Sequence, residues 1–220
     1  MGELTGEIGT IVTYRGAEII FKRTLLQLET KLKLSGYCGY INLNMIANAE
    51  GLWPLEFTSR FGYPGHSICA ALHLDSWDTL FQNMLQKSSL YFATDEGFAA
   101  GVVLNVPPFP YRYGYEVLSK GLPVLFDSSL TKNDLQSLHF NEVAKINNQL
   151  VTSGMTGNIA TAVGSGETIK AARQQAYKLA SKVILPNLRY RQDIGANLMA
   201  GDLQQLIDWG YIAFSIINAH

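Results

Sequence analysis

The chain has 220 residues, 47% of them hydrophobic and 16% charged, with a formal net charge of −1. That length holds one large core or two small ones. The balanced charge argues against nucleic acid or a polybasic membrane contact, and leaves room for a local basic pocket that meets a small phosphorylated substrate.

No apolar run approaches the ~20 residues a membrane helix requires. The opening MGELTGEIGT lacks the basic and apolar regions of a signal peptide. Cys38 and Cys69 lie too far apart in sequence to form a metal-ligand pair, and both read as small buried residues. The expectation is a reduced, cytoplasmic chain with neither a nucleic-acid nor a membrane partner.

Residues 17–34, AEIIFKRTLLQLETKLKL, place Ile20, Phe21, Thr24, Leu25, Leu28 and Leu32 at helical spacing, and Gly36 ends the predicted helix. Residues 38–48, CGYINLNMIAN, predict a strand. The turn Asn48–Gly51 then leads into a partner strand over 52–58, read as buried. In that hairpin Asn42, Asn44, Glu56 and Thr58 can share one face, because strand side chains repeat every two residues.

A helix is expected over 65–87, running into Ser88 and Ser89. Residues 98–106, FAAGVVLNV, are apolar and β-like, and PPFPY interrupts them. Over 112–165 short β-like runs (EVL, LPVLFD, NQLVT, GNIATAV) alternate with Gly, Asn and Asp turns, as in a small β-rich module. Tyr111, Tyr113 and Tyr115 alternate at strand spacing and read as packing residues.

The segment ETIKAARQQAYKLASKVI predicts a helix with Ile169, Ala172, Ala176, Leu179, Ala180 and Val183 on its core face and Thr168 or Ser165 as its cap. The GSG at 164–166 reads as an ordinary helix start, without the further glycine of a dinucleotide-binding turn. His66, His73 and His139 stand isolated, with no nucleophile or metal-ligand spacing. A boundary near residues 90–97 separates a first part, 1–92, from a second, 93–220.

The stretch GLWPLEFTSRFGYPG, residues 51–65, sets one carboxylate, Glu56, among Trp53, Leu55 and Phe57. An ionised carboxylate in an apolar strand is costly unless it is paired or bound to a cation. Arg60 is one partner. A hard cation such as Mg²⁺ is another, with Glu56 and Thr58 projecting from the same strand face at i and i+2. On spacing alone, a structural Glu56–Arg60 pair at a sheet edge is the simpler reading.

PLEFTSRFGYPG also resembles the E-F-N-x-R-F-G-D-P-E segment of the phosphoribosylamine–glycine ligases, which are ATP-grasp enzymes. LTGEIGTIVTY resembles that family's N-T-G-G-M-G-x-Y segment, and GYCGYINLNMIANAEGLWPLEF matches the layout of its G-x-x-Y-x-G-x-L-x-x-G-x-M hairpin. GETIKAARQQAYKLASKV resembles its G-x-T-V-x-E-A-x-x-x-A-Y helix, and YRQDIG, residues 190–195, its Y-R-x-D-I-G. These segments keep the family's order and cover nearly the whole chain.

The resemblance implies an α+β fold: the end of an ATP-grasp lobe, an antiparallel sheet with helices, then a small β-rich C-terminal domain with one long helix. It implies an ATP-dependent ligase of purine biosynthesis that joins glycine to phosphoribosylamine through an acyl phosphate, with Mg²⁺ or Mn²⁺ as cofactor and ATP as co-substrate. Glu56 would hold the metal, helped by Thr58 and Asn44. Arg60 would be catalytic, binding the carboxylate or the transferring phosphoryl group, with Gly62 beside the nucleotide. Pro64, Arg191, Asp193 and Gly195 would meet the substrate, although Arg191 and Asp193 read equally well as a salt bridge that fixes a loop.

The departures are specific. Thr58 stands where the family has a metal-binding Asn, and Tyr63 and Gly65 stand where it has Asp and Glu. The prolines of GVVLNVPPFPY replace paired glycines. The family's enzymes are about twice as long, so the chain is expected to be a C-terminal half, inactive without its N-terminal partner. Two other readings stay open: a related ligase with another carboxylate or amine, and a non-catalytic remnant or interaction module.

Overall fold

A strand buried on both faces carries apolar residues continuously rather than alternately. FAAGVVLN does so, and β4 (Phe98–Asn105) is buried at every residue. The structure is a computed structural model, and it describes residues 8–87 and 92–213. In it β4 lies inside a four-stranded antiparallel sheet with β1 (Gly9–Val12), β6 (Leu138–Phe140) and β9 (Asn158–Gly166), in the order β1-β4-β9-β6. The sheet therefore draws on both sides of the expected boundary, part of which (residues 90 and 91) lies outside the described residues.

α7 (Ile169–Ala180) covers one face of this sheet. Ile169, Ala172, Ala176, Leu179 and Ala180 form its buried stripe, and Thr168 caps it by accepting the Ala171 N–H at 3.1 Å. The approach is close because β9 carries a glycine there: a Cβ on Gly164 would lie 2.6 Å from the Ala172 carbonyl oxygen. α3 (Gly65–Ala70) covers the opposite face, where Ile68 fills the space over Gly101 and packs with Leu72, Ala99 and Val163. Val183, expected on the helix, is buried in a short strand just beyond it.

The predicted hairpin forms from β2 (Asn42–Asn48) and β3 (Gly51–Thr58). Asn42 pairs with Thr58 and Asn44 with Glu56, so these four side chains share a face; a bulge then leaves Leu55 unopposed. Asn48 Oδ1 closes the turn, accepting from the N–H groups of Glu50 and Gly51 and from Trp53 Nε1. The expectation of a buried strand is overturned. Trp53, Leu55 and Phe57 are 51%, 63% and 53% exposed. Among the described residues the hairpin pairs with no further strand, and Glu56 is exposed rather than set in an apolar interior.

Other expectations also change. The helix over 17–34 breaks at Thr24 (φ −128°, ψ −91°) into α1 (Glu18–Arg23), a tight 3₁₀ turn over Leu25–Leu28 and α2 (Glu29–Leu34), none of them burying a residue. The helix over 65–87 splits because Ser76 starts a new one, α4 (Trp77–Gln86), by accepting the Thr79 N–H; Ser88 and Ser89 lie outside the described residues.

The strand expected from residue 38 starts at Asn42, and Cys38 is exposed while Cys69 is half-buried. EVL is helical, in α5 (Tyr115–Leu118). Of the three alternating tyrosines only Tyr115 packs; Tyr111 and Tyr113 are exposed. Elements without a counterpart in the sequence analysis include β1, β6, α6 (Lys132–Gln136) with its Thr131/Asp134 capping box, the strand Val143–Ile146 that pairs with Gln149–Thr152, and a helix over Leu203–Asp208.

Candidate active site

β1 is the wall between two cavities. One, of about 340 Å³, is lined by Tyr40, Asn42, Asn44, Gly62, Tyr63, Pro64, Gly65 and Cys69. The other, of about 330 Å³, is lined by Arg191, Asp193, Ile194, Gly195, Asn197 and Leu198. Gly9 and Thr10 border both. The wall is thin because glycine faces isoleucine twice: a Cβ on Gly9 would lie 2.7 Å from Ile194, and one on Gly195 (φ +73°) 2.7 Å from Ile11. Segments far apart in sequence thus meet along one strand.

The residues singled out from the sequence fall into three groups. Asn44, Gly62 and Pro64 line the first cavity; Arg191, Asp193 and Gly195 line the second. Glu56 and Thr58 line neither, but they sit across β2 from Asn44 and Asn42. Asn42 Nδ2 donates to Asn44 Oδ1 at 2.9 Å, and Asn44 Nδ2 donates to Glu56 Oε1 at 3.0 Å. Arg60 remains apart, its Nη1 donating to the Phe61 carbonyl at 3.0 Å. Among the described residues the Glu56–Arg60 ion pair is not formed, so the simplest reading of the motif fails.

Carboxylate, carboxamide and hydroxyl oxygens on one face suit a hard cation in kind. Among the described residues no group of three or more His, Cys, Asp or Glu side chains gathers around a common point. An ion at Glu56 would therefore draw its other oxygens from Asn44, Thr58, water or a bound phosphate. Asn44 would have to turn its carbonyl end toward the ion, a rotation that exchanges the two ends of the amide.

Arg191 and Asp193 form a bidentate pair: Nε donates to Oδ1 at 2.7 Å and Nη2 donates to Oδ2. Hydrogen bonding from Arg191 holds the Asp193 carboxyl below its ordinary range, and Asp193 in turn raises the arginine. The salt-bridge reading of YRQDIG is thus met by geometry, in a loop that also borders a cavity. That loop is held from behind. Tyr177 Oη donates to the Arg191 carbonyl at 2.9 Å and accepts the Ile194 N–H at 3.1 Å, while Arg173 Nη2 donates to the Gln192 carbonyl.

Sequence reasoning took Tyr63 only as a lost acid. Its hydroxyl donates to Asn158 Oδ1 at 2.7 Å and accepts Asn141 Nδ2 at 2.8 Å, and burial pushes the phenol up from its ordinary pKa. Nothing local in the sequence announces this network, since its members are 78 to 95 residues away from Tyr63.

The architecture is shared with ATP-grasp enzymes. The biotin carboxylase domain of a thermophilic 2-oxoglutarate carboxylase overlies 96% of the chain and 47% of its own length with a TM-score of 0.58, at 10% identity, a likeness of fold alone. Within that class the similarity is to the C-terminal part of phosphoribosylamine–glycine ligases. The ligase of Thermotoga maritima is 27% identical over 184 residues, covering 83% of this chain and 42% of the relative. That of Pseudomonas aeruginosa is 29% identical over 167 residues, 74% of this chain and 37% of the relative. The solved Thermotoga maritima structure gives a TM-score of 0.66 at 26% identity, over 88% of this chain and 48% of its own. No protein-family model matches the chain. The chain spans less than half the length of these relatives.

Proposed function

We propose that the chain is the C-terminal part of an ATP-dependent carboxylate–amine ligase that joins glycine to phosphoribosylamine in purine biosynthesis. The carrying observation is the hairpin register, which sets Asn44 directly opposite Glu56 and Asn42 opposite Thr58, at the edge of a cavity also bordered by the Gly62–Gly65 turn. The similarity to ligases of that name supports the reading.

In this reading the ATP γ-phosphate passes to the carboxylate, the amine attacks the acyl phosphate, and the amide forms as phosphate leaves. Glu56, Asn44 and Thr58 would hold Mg²⁺ or Mn²⁺, whose chemistry there is to neutralise phosphate charge. Arg60 is exposed and can turn from the Phe61 carbonyl toward the carboxylate or the transferring phosphoryl group, whose two oxygens its planar fork matches. Gly62, without a Cβ and with open space beside it, lets the nucleotide approach the backbone. Pro64 and the Arg191–Gly195 loop face the substrate across β1.

A related ligase with a different carboxylate or amine is the second reading. One observation favours it: the cavity beside the hairpin has no charged side chain in its lining, with Tyr63 and Gly65 in the turn.

Calorimetric titration with Mg²⁺-ATP tests the proposal. The chain alone should give no saturable heat. Supplied with an N-terminal ligase half in trans, it should bind, release ADP in the presence of glycine, and lose turnover by at least about 100-fold in Glu56→Gln. Near-normal turnover in that variant would leave Glu56 a surface residue. ADP release with another carboxylate but not with glycine would select the second reading.

A further inference from the structure

The two cavities on either side of β1 are each walled by a loop, and loops are the least rigid parts of a fold. One wall is the Gly62–Gly65 turn; the other is the Arg191–Gly195 loop. Gly62–Pro64 and Arg191–Gly195 lie outside helices and strands, so side chains that tie them to rigid elements help to fix their positions. In each wall a tyrosine hydroxyl is among the groups that do this.

Tyr63 reaches out of the first wall. Its hydroxyl donates to Asn158 on β9, accepts from Asn141 in the turn after β6, and lies 3.4 Å from the hydroxyl of the fully buried Thr161. Tyr177 reaches into the second wall from α7. Its hydroxyl donates to the Arg191 carbonyl and accepts the Ile194 N–H, while the Arg173 guanidinium lies over its ring and bonds the Gln192 carbonyl. Both hydroxyls act as donor and acceptor at once, so the proton of each is committed to a structural bond. Both anchor to the same unit, because β9 and α7 are packed backbone to backbone at Gly164.

We propose that Tyr63 and Tyr177 are positioning residues that hold these two walls at a fixed separation across β1 by tying each to the β9–α7 unit. The proposal rests on reading the two cavities together as the ligase site. The Arg191–Asp193 pair then borders its cavity at a set distance from Asn44 and Gly62, with β1 as the spacer between them.

The test uses the whole 220-residue chain and removes single oxygens. In Tyr177→Phe the Ile194 amide loses the acceptor it has in the structure, and its hydrogen exchange measured by NMR should accelerate about tenfold or more. In Tyr63→Phe the His66 amide, bonded to the Gly62 carbonyl at 2.8 Å, should accelerate instead, with Ile194 unchanged. The amides of Val102 and Leu104 on β4 should stay within about twofold in both variants. Asn141→Ala, an exposed site, should reproduce part of the Tyr63→Phe effect without disturbing the core.

Unchanged exchange at Ile194 and His66, or acceleration spread evenly through β4, would overturn the proposal. The functional arm adds the N-terminal half in trans. There each variant should raise KM for ATP or the amine about five- to tenfold, with kcat within about twofold. If the unaltered assembly shows no ligase turnover, the ligase reading falls, and the exchange data still decide whether the walls are held in this way.

Discussion

Glycine positions in this protein are decided by what a methyl group would strike. At Gly164 the obstacle is backbone, the Ala172 carbonyl and the Ala176 N–H, which cannot move without displacing α7 from the sheet. At Gly101 it is Cγ1 and Cδ1 of Ile68, a fully buried side chain on the six-residue α3, which can shift more readily than the twelve-residue α7. Gly164→Ala should therefore cost about 3 kcal/mol and Gly101→Ala about 1 kcal/mol, within the range of overpacked cores. Urea denaturation of both variants checks the order, and equal losses would mean that α7 yields as readily as a side chain.

Charge acts at the same scale. Asp134 accepts from Lys182 Nζ at 2.8 Å and from the Thr131 N–H and hydroxyl, and these bonds pull its pKa down to about 2 from 3.8. A depressed carboxyl contributes stability that is complete above its unfolded pKa and lost as pH falls through the folded one. The melting-temperature gap between the chain and Asp134→Asn should thus hold above pH 4 and narrow toward pH 2.

His66 and His73 titrate in a different window. Burial lowers both, and His73 Nδ1 has no hydrogen-bond partner, so a proton there would find no acceptor. Both therefore take up a proton less readily in the fold than in the unfolded chain, and stability falls as pH drops through their unfolded value near 6.5. Trp77, stacked on His66 at 4.5 Å, should report that loss as a fluorescence change below pH 6.5 that Asp134→Asn leaves intact.

Among the elements, α7 was the most legible. Its apolar positions recur at helical spacing and its cap is Thr168, whose replacement by Ala should cost about 1 kcal/mol in a thermal or urea melt. β4 was legible for a different reason, an apolar run too short for a membrane helix and bounded by turns. The hairpin register was legible too, because Asn48 and Gly51 set the turn and alternation set the faces. What periodicity does not report is cover. It drew the same apolar stripe over residues 17–34, where no residue is fully buried, and the same strand over 52–58, where most side chains are exposed. The breaks at Thr24 and Ser76 are single-residue hydrogen-bonding events inside a continuous pattern. At the site, proximity along β1 and the two tyrosine anchors depend on contacts between distant segments, which spacing cannot encode.

At the scale of the molecule, the exposed surface is uneven. β4, β9 and α7 bury a continuous core, while the hairpin leaves Ile46, Trp53, Leu55 and Phe57 about half exposed or more, and α1 and α2 bury nothing. A hairpin this open is marginal by itself and needs further strands or a covering layer. Its strands also keep unpaired outer edges, which accept another strand by backbone hydrogen bonding. The relatives are more than twice as long as the part matched here, so the proposed N-terminal half is the natural source of that layer. The prediction is spectroscopic. On adding that half, the emission of Trp53 should shift to shorter wavelength and the amides of Leu43, Met45 and Phe57 should gain protection from exchange. Trp53→Phe should remove the shift and leave the amide protection. Association that protects α1 and α2 but leaves the hairpin amides unchanged would put the hairpin on the solvent side of the assembly. Glu56 could then no longer be a ligand at a closed site, because a metal-phosphate centre needs water excluded from the strand face that holds it.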